Sequence, residues 1–184
     1  MTKKPRTAST SQRVYLRELR ESDFDEMALR FAASRGLLRG FAATNFDRQR
    51  FEEILASSRL ETNEAFLICT TGDDVIAGQI TLSQIFRKSF QNAYLGYQLF
   101  TGFTGNGFMT QAVGLVLRKA FVDLELHRIE ANVQPDNKPS IAVLRRNGFT
   151  KEGFSKRYLK IGGRWRDHER WAIVKEDWRN YRSK

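Results

Sequence analysis

One stretch, residues 97–121, constrains the fold most, because it joins a strand, a glycine-rich loop and a helix. Its sequence is YQLFTGFTGNGFMTQAVGLVLRKAF, and Gly102, Gly105 and Gly107 predict the turn. Apolar residues at positions 112, 113, 116, 117, 120 and 121 have the spacing of one helix face. This order directs backbone N–H groups and the positive end of a helix dipole toward one point. A phosphate can bind there.

The glycine spacing alone does not identify a nucleotide fold. The glycines fall as G-x-x-G-x-G, which is neither GxGxxG nor GxxxxGK[ST]. An ordinary turn between a strand and a helix would use the same residues. Other parts of the sequence are therefore needed to distinguish a phosphate-binding loop from an ordinary turn.

The length and composition predict one domain with a substantial core. The chain has 184 residues, 41% of them hydrophobic and 12% aromatic. Residues 1–11 are polar and basic and predict a flexible arm, so the domain is expected over residues 12–184. Cys69 lies in an apolar run without Cys or His neighbours, which predicts a buried side chain and no metal site. No hydrophobic leader and no apolar run of ~18 residues is present, so a cytoplasmic protein is expected.

The positive charge is concentrated in the last quarter of the chain. The net charge is +10, and residues 138–184 hold 14 Lys/Arg against 5 Asp/Glu. Such an excess suits a polyanionic ligand, contact with RNA or the ribosome, or solubility alone. The sequence leaves these three open.

Hydrophobic periodicity predicts a mixed α+β sheet in a single domain. Strands are expected at 13–17, 64–70, 75–85, 93–100, 128–134, 149–159 and 164–174, and helices at 22–34, 47–61, 110–126 and 137–146. Short turns make the strands over 64–100 antiparallel, and the remainder reads β-α-β-α-β-β. Gly78 is a candidate bulge site, and Trp165 and Trp171 are expected in the core. Phe41 and Phe46, in a predicted loop, either line a substrate groove or pack inside.

Four pieces together resemble the Gcn5-related N-acetyltransferase (GNAT) family: residues 97–121, the strand at 128–134, NKPSIAVLRRNGF, and the closing hairpin. Within it, HRIEANVQPDNKPS, NGFTKEGF and GRWRDH are most similar to bacterial ribosomal-protein-alanine/serine N-acetyltransferases. The resemblance implies a mostly antiparallel, twisted central sheet with helices on both faces. It also implies acetyl-CoA as co-substrate, no metal, and an acceptor protein N-terminus, with a ribosomal protein as the expected acceptor.

The resemblance also assigns cofactor contacts. The loop binds the pyrophosphate of acetyl-CoA, and the preceding strand hydrogen-bonds the pantetheine. The implied contacts are Gln98, Leu99, Phe100, Thr104, Gly105, Asn106, Gly107, Phe108, Met109, Thr110, Asn137 and Ser140. Thr104 replaces the usual Gln or Arg of the family loop, which removes a side-chain contact and leaves the backbone amides. Met109 replaces a small residue, as in the ribosomal-protein subgroup.

The reaction implied is direct attack of an amine on the thioester carbonyl in a ternary complex. An α-amine has an ordinary pKa of ~7.7–8.0, so it needs only a modest base. A backbone N–H near Leu99 or Phe100 is expected to hold the carbonyl oxygen. The family's tyrosine acid falls on Leu144 and is missing here. Either Ser140 or an ordered water is therefore expected to protonate the thiolate, or the thiolate leaves unaided.

The remaining candidate site residues have open assignments. Asn137 and Ser140 start a helix at i and i+3, so Asn137 is either a simple N-cap or a cofactor contact. Glu130 is the leading candidate for the base, and a structural ion pair with a nearby Arg is the rival interpretation. The family's usual glutamate position falls on Asn132, which could orient a water. His127 and His168 are not expected to be the base.

The sequence therefore predicts an acetyl-CoA-dependent transfer to a protein α-amine. The alternatives are a small-amine acetyltransferase, for an antibiotic or a polyamine, and a ribosome-assembly protein that acts by contact through its basic quarter. A monomer and a homodimer are both compatible with the sequence.

Overall fold

Within the described residues, seven β-strands form one sheet in the order β1-β2-β3-β4-β5-β7-β6. The computed structural model describes residues 12–41 and 45–182, with the side chain of residue 182 left out, so the predicted arm over 1–11 lies outside it. The strands are β1 (Val14–Glu18), β2 (Glu64–Thr70), β3 (Ile76–Phe86), β4 (Asn92–Leu99), β5 (Arg128–Val133), β6 (Thr150–Ile161) and β7 (Arg164–Val174). All neighbouring pairs are antiparallel except β4 and β5. The predicted α+β sheet is confirmed.

Helices cover both faces of this sheet, as predicted. They are α1 (Phe24–Leu38), α2 (Arg48–Ser58), α3 (Phe108–Arg118), α4 (Lys138–Arg146) and α5 (Lys175–Arg182). The core on the front face lies between α1, α2 and the inward residues of β2, with Cys69 buried there as expected. The core on the back face lies between α3, α4, α5 and alternate residues of β3, β4, β5 and β7. β2 alternates its side chains between these cores, with Phe66 and Ile68 in the back core and Leu67 and Cys69 in the front core.

Helix boundaries differ from prediction at several places. Ser22 lies in a 3₁₀ turn and α1 begins after Asp23, whose carboxylate does not cap the helix but accepts hydrogen bonds from Arg17 and the Arg20 N–H. The helix also continues through Gly36 to Leu38, whose buried side chain offsets the ~1 kcal/mol cost of an internal glycine. A π-helical turn, Lys119–Asp123, follows α3. The sequence did not predict α5.

Two predictions about single side chains have opposite outcomes. Trp171 is buried in the back core, as expected, but Trp165 is 61% exposed at the hairpin end, so its assignment to the core was wrong. At Gly78, β3 approaches β4 so closely that an added Cβ would lie 2.3 Å from the Gln98 carbonyl oxygen. The neighbouring ladder is irregular, since Ile68 pairs with Gly78 and Cys69 with Ile76. The predicted bulge is therefore present next to Gly78.

The parallel pair β4–β5 opens along its length. The two strands pair only at Asn92–Tyr94 against Arg128–Glu130, although β4 continues to Leu99 and β5 to Val133. We call the paired part the closed end of the seam and the rest the open end. The open end creates a cleft in the middle of the sheet, next to the glycine loop and α4.

Candidate active site

The glycine loop presents free backbone donors at the start of α3. Gly102, Gly105 and Gly107 all have positive φ, and Gly107, at φ 76°, is the N-cap of α3. The first hydrogen bond of the helix runs from Gln111 N–H to the Gly107 carbonyl oxygen. The N–H groups at the beginning of α3, over 108–110, therefore lack helical partners. The loop glycines are exposed, and no atom lies within 4 Å of a Cβ built on Gly102 or Gly105.

Arg13 adds a positive charge to this loop. Its Nη2 donates to the Asn106 carbonyl oxygen, and its guanidinium lies 5.1 Å from the centre of the Phe108 ring. The Arg13 N–H also donates to Gln111 Oε1 at 3.0 Å. Backbone donors, a helix N-terminus and a guanidinium thus converge at one exposed place, which suits a phosphate group.

The open end exposes main-chain groups of β4. The Phe100 N–H donates to the Ala77 carbonyl oxygen at 2.9 Å, which fixes the phase of the antiparallel β3–β4 ladder. Because hydrogen-bonded and non-hydrogen-bonded positions alternate, the main-chain groups of Leu95, Tyr97 and Leu99 face β5 instead. The ladder with β5 ends at the pairing of Tyr94 with Glu130, which uses the Leu95 N–H. Within the described residues, the main-chain groups of Tyr97 and Leu99 on this side have no strand partner and can bond an extended ligand in the cleft.

The cleft has a volume of about 290 Å³ and is lined by side chains from both sides of the sheet. On the α4 side, Asn137 Oδ1 caps the helix by accepting from the Ser140 N–H at 3.2 Å. The Ser140 hydroxyl makes no hydrogen bond within the described residues, and Tyr97 Oη donates to the Ser140 carbonyl oxygen at 3.2 Å. Burial raises the pKa of Tyr97 above its ordinary value, so its hydroxyl remains protonated.

On the front face the lining is polar. It includes Gln79, Gln98, Asn132, Gln134 and His168. Gln79 Oε1 and Gln98 Nε2 are buried and have no hydrogen-bond partner in the described part of the chain. An unpaired buried polar atom is costly unless a ligand or water completes it. The front face therefore offers a ligand one hydrogen-bond acceptor, Gln79 Oε1, and one donor, Gln98 Nε2.

The two residues Gly40 and Phe41, just after α1, contact this face. Gln134 Nε2 donates to the Gly40 carbonyl oxygen at 2.7 Å, and Phe41 lines the cleft. Phe46 instead stacks on Phe31 with ring centroids 4.2 Å apart. The sequence left open whether Phe41 and Phe46 line a groove or pack inside. Phe41 lines the groove, and Phe46 packs in the core.

Glu130 lies at the closed end, away from the cleft lining. Its Oε1 accepts from Arg128 Nε at 2.8 Å, and Arg128 also forms an ion pair with Glu152. The pair with Arg128 lowers the pKa of Glu152 below its ordinary value. This geometry matches the rival interpretation of Glu130 as an ion-pair partner. Asn132, two residues further on, does line the cleft.

A second, more open groove of about 640 Å³ lies along β1 and α3. Its lining includes the apolar Leu16, Phe66 and Leu115 and the basic Arg17, Arg118 and Lys119. No residue of β4 lines this groove. The smaller cleft is therefore the candidate active site.

Comparison with known proteins identifies the family. A family model described as an acetyltransferase (GNAT) domain matches residues 13–150. The chain belongs to the GNAT acetyltransferase family. The chain is 38% identical over 174 residues to the probable N-acetyltransferase YjcK of Bacillus subtilis, which covers 89% of the chain and 95% of that protein. This GNAT enzyme is an N-acetyltransferase, and the resemblance inferred from its motifs is confirmed.

Relatives of the GNAT enzyme differ in acceptor. The ribosomal protein uS5-alanine N-acetyltransferase of Escherichia coli is 42% identical over 103 residues, 56% of this chain and 53% of that enzyme. A structure of Mycobacterium smegmatis RimJ with CoA-disulfide has a TM-score of 0.79 and 34% identity, covering 89% of this chain and 82% of that one. A spermidine N-acetyltransferase of Vibrio cholerae, with CoA and spermine, has a TM-score of 0.78 at 20% identity, covering 91% and 99%. The last likeness shows a shared fold only.

The residues of this GNAT enzyme fit acetyl-CoA, the acetyl donor of the family. The free N–H groups of the loop and Arg13 suit the diphosphate, and the unpaired edge of β4 suits the amide groups of pantetheine. Among the predicted contacts, Thr104, Gly105, Asn106 and Gly107 lie on the exposed loop, and Gln98, Asn137 and Ser140 line the cleft. Phe100 and Met109 bury their side chains, so they offer only main chain.

The Phe100 N–H is already bonded to Ala77, which removes it as the donor to the thioester carbonyl and leaves Leu99. Sequence reasoning missed Arg13, Tyr97 and Gln79 as site residues, since no local spacing connects them to the loop. It had excluded His168 as the base, yet His168 lines the cleft. Within the described residues, no group of three or more His, Cys, Asp or Glu could hold a metal ion, and no helix is long and apolar enough to span a membrane.

Proposed function

We propose that the enzyme transfers the acetyl group of acetyl-CoA to the α-amine of a protein N-terminus, with a ribosomal protein as the leading acceptor class. The observation that carries this proposal is the chemistry of the cleft. Among the described residues that line it, amides, hydroxyls, aromatic rings and one histidine occur, and no carboxylate does. A polyamine with several positive charges would be poorly held there, whereas an α-amine is partly neutral near pH 7.7–8.0.

The two substrates bind to different parts of the cleft. Loop donors over 105–110 and Arg13 hold the diphosphate, and the free main chain of Tyr97 and Leu99 holds the pantetheine arm. When bound, acetyl-CoA supplies the acetyl group as a thioester. The Leu99 N–H then polarises its carbonyl oxygen, and Ser140 lies on the α4 side to protonate the thiolate. The acceptor enters from the front face, past Phe41, Gln98 and Asn132.

Three acceptors tested side by side check the proposal. One is a peptide with a free N-terminal alanine, the second is the same peptide with a blocked N-terminus and an internal lysine, and the third is spermidine. Mass spectrometry should find acetylation of the first alone. Preferential acetylation of spermidine would contradict the proposal and support a small-amine enzyme.

A second candidate function rests on the β6–β7 hairpin. Lys156, Lys160 and Arg164 are exposed there and have no ion-pair partner within the described residues. Tyr158 and Trp165 are exposed beside them, at 36% and 61%. Cations combined with exposed aromatic rings suit RNA, with phosphate contacts and base stacking.

Fluorescence anisotropy with a ribosomal RNA fragment at increasing salt tests this RNA contact. Binding should weaken steeply with salt and should fall in the triple variant Lys156→Ala, Lys160→Ala and Arg164→Ala. It should survive in a Gly107→Val variant, because the acetyl-CoA loop is a separate surface. Equal RNA affinity of the triple variant and the parent would exclude the hairpin as the contact.

A further inference from the structure

His168 occupies a position in the cleft that no assigned role explains. It lies on β7, and its side chain is only 3% exposed. Because β7 pairs with β5 in register Asn132↔Arg170, His168 stands on the same sheet face as Asn132 and Gln134. All three side chains line the cleft. An imidazole is therefore held inside the open end of the seam, on the side where the acceptor enters.

The hydrogen bond of the ring fixes which nitrogen is basic. His168 Nδ1 lies 3.0 Å from the Arg166 carbonyl oxygen. A carbonyl oxygen can only accept, so Nδ1 carries the hydrogen in the neutral ring and Nε2 carries the lone pair. Nε2 makes no hydrogen bond within the described residues, and the ring of Tyr158 packs beside it at 6.2 Å between centroids. The basic nitrogen is thus unoccupied while the ring orientation is fixed.

The other candidates for a base are already engaged or chemically unsuited. Glu130 pairs with Arg128 outside the cleft lining, and Asn132 is an amide without a basic site. Glu169 lies on the opposite face of β7, where it binds Lys151 and Trp171 Nε1. Within the described lining of the cleft, His168 is the only side chain with a nitrogen lone pair that can accept a proton.

We propose that His168 Nε2 accepts the proton of the acceptor amine, an inference that rests on the proposed acetyl transfer. The amine nitrogen forms a bond to the thioester carbonyl carbon and loses one proton to Nε2. The carbon–sulfur bond breaks, and the thiolate takes up a proton from water, either directly or through the Ser140 hydroxyl, which regains its proton from solvent. The imidazolium returns its proton to solvent. Charge and atoms balance without a further reactant.

The first test compares two histidine variants. His168→Gln keeps a hydrogen-bonding group but removes the basic nitrogen, so turnover of the N-terminal alanine peptide at pH 7 should fall roughly 10²-fold or more. The thermal shift caused by acetyl-CoA should not change. His127→Gln is the matched control, because His127 is exposed, lies outside the cleft and pairs with Glu176. It should retain normal turnover.

The pH dependence separates a base from a structural residue. The deficit of His168→Gln should narrow as the pH rises above ~8, where an α-amine is already neutral. A deficit that stays constant with pH, in a variant with an unchanged melting temperature, would overturn the proposal. Normal turnover of the variant at pH 7 would overturn it as well.

A readout independent of activity tests the tautomer. Long-range ¹H–¹⁵N NMR spectra of the enzyme labelled at histidine should show His168 with its proton on Nδ1. If the hydrogen resides on Nε2 in the neutral ring, Nε2 cannot accept a proton and the proposal is wrong. If the parent enzyme acetylates spermidine and not the peptide, the proposed acceptor fails. The His168→Gln comparison then runs on spermidine with the same criteria.

Discussion

The two ends of the β4–β5 seam have the same strands but treat their polar groups in opposite ways. At the closed end, main-chain groups pair across the strands, and Glu130, Arg128 and Glu152 satisfy one another. At the open end, β4 has unpaired main chain, and Gln79, Gln98 and Ser140 have side-chain atoms without a partner in the described residues. Position along the seam thus separates the ion-paired carboxylates from the polar groups of the cleft. Asn92 is the exception at the closed end, because its buried amide also has no hydrogen-bond partner in the described part of the chain.

The largest expected effect follows from blocking the loop beside the open end. Gly107→Val places a β-branched side chain at φ 76°, where it strains the backbone and obstructs the diphosphate. Loss of one or two charge-assisted hydrogen bonds, about 3 kcal/mol, corresponds to roughly a 10²-fold weaker affinity for acetyl-CoA. Thermal shift with saturating acetyl-CoA measures it.

The control for backbone strain is Gly163→Val. Gly163 has φ 79°, lies in the hairpin turn and has no atom within 4 Å of an added Cβ. This variant should lose a similar amount of stability and keep its full acetyl-CoA shift. An undiminished shift in a folded Gly107→Val protein would place the cofactor elsewhere.

Ser140→Ala tests the open end at its α4 side. Because the Ser140 hydroxyl has no partner in the described chain and lines the cleft, its loss should lower turnover roughly 10²-fold. The affinity for acetyl-CoA should change little. Steady-state kinetics with calorimetric binding measure both quantities.

Ser83→Ala is the matched variant at the closed end. Ser83 Oγ donates to the Tyr94 carbonyl oxygen at 3.5 Å, outside the cleft lining, so turnover should be normal. Equal losses of affinity and turnover in Ser140→Ala would mean that Ser140 only binds or supports α4.

At the closed end, Glu130→Gln should affect stability before catalysis. Glu130 and Arg128 are 19% and 22% exposed, and the variant removes the charge from their hydrogen bond. The free energy of unfolding should fall by about 1–3 kcal/mol, with turnover of the folded protein unchanged. Urea unfolding and kinetics on one preparation measure the two effects. A stable variant with a hundredfold loss of turnover would make Glu130 the base and erase the contrast between the ends.

The smallest expected effect is the loss of stability at acid pH that comes from the Arg128–Glu152 ion pair. Arg128 lowers the pKa of Glu152, so the stabilisation is complete above the ordinary glutamate value of ~4.3 and is lost as the pH falls through the lower folded value. Because Glu152 is 46% exposed, the loss should be below about 1 kcal/mol. Melting temperatures between pH 7 and pH 3 should show a smaller acid dependence in Glu152→Gln. An identical acid dependence in the variant would show that the pair contributes nothing.

Local sequence patterns predicted the helices, strands and turns that form the site. Which of their residues come together in the cleft depends on contacts between distant parts of the chain. The N-K-P-S segment predicted the Asn137 cap, and the glycines predicted the turn before α3, because both depend on neighbouring residues. Strand periodicity could not show where β4 and β5 separate, since both halves of β5 alternate equally. The position of His168 depended on β7, and not β6, lying beside β5. Arg13 reaches a loop more than 90 residues away, which no spacing reveals.

Amide hydrogen exchange resolved by NMR, with and without acetyl-CoA, tests the central claim most directly. We expect acetyl-CoA to slow exchange at Tyr97 and Leu99 and at residues 108–110. We expect no change at Gln98 and Phe100, whose N–H groups face β3, or at the closed end, where the Leu95 N–H pairs with β5. Protection confined to the groove along β1 and α3, or no protection on β4, would contradict the assignment of the open seam as the acetyl-CoA site.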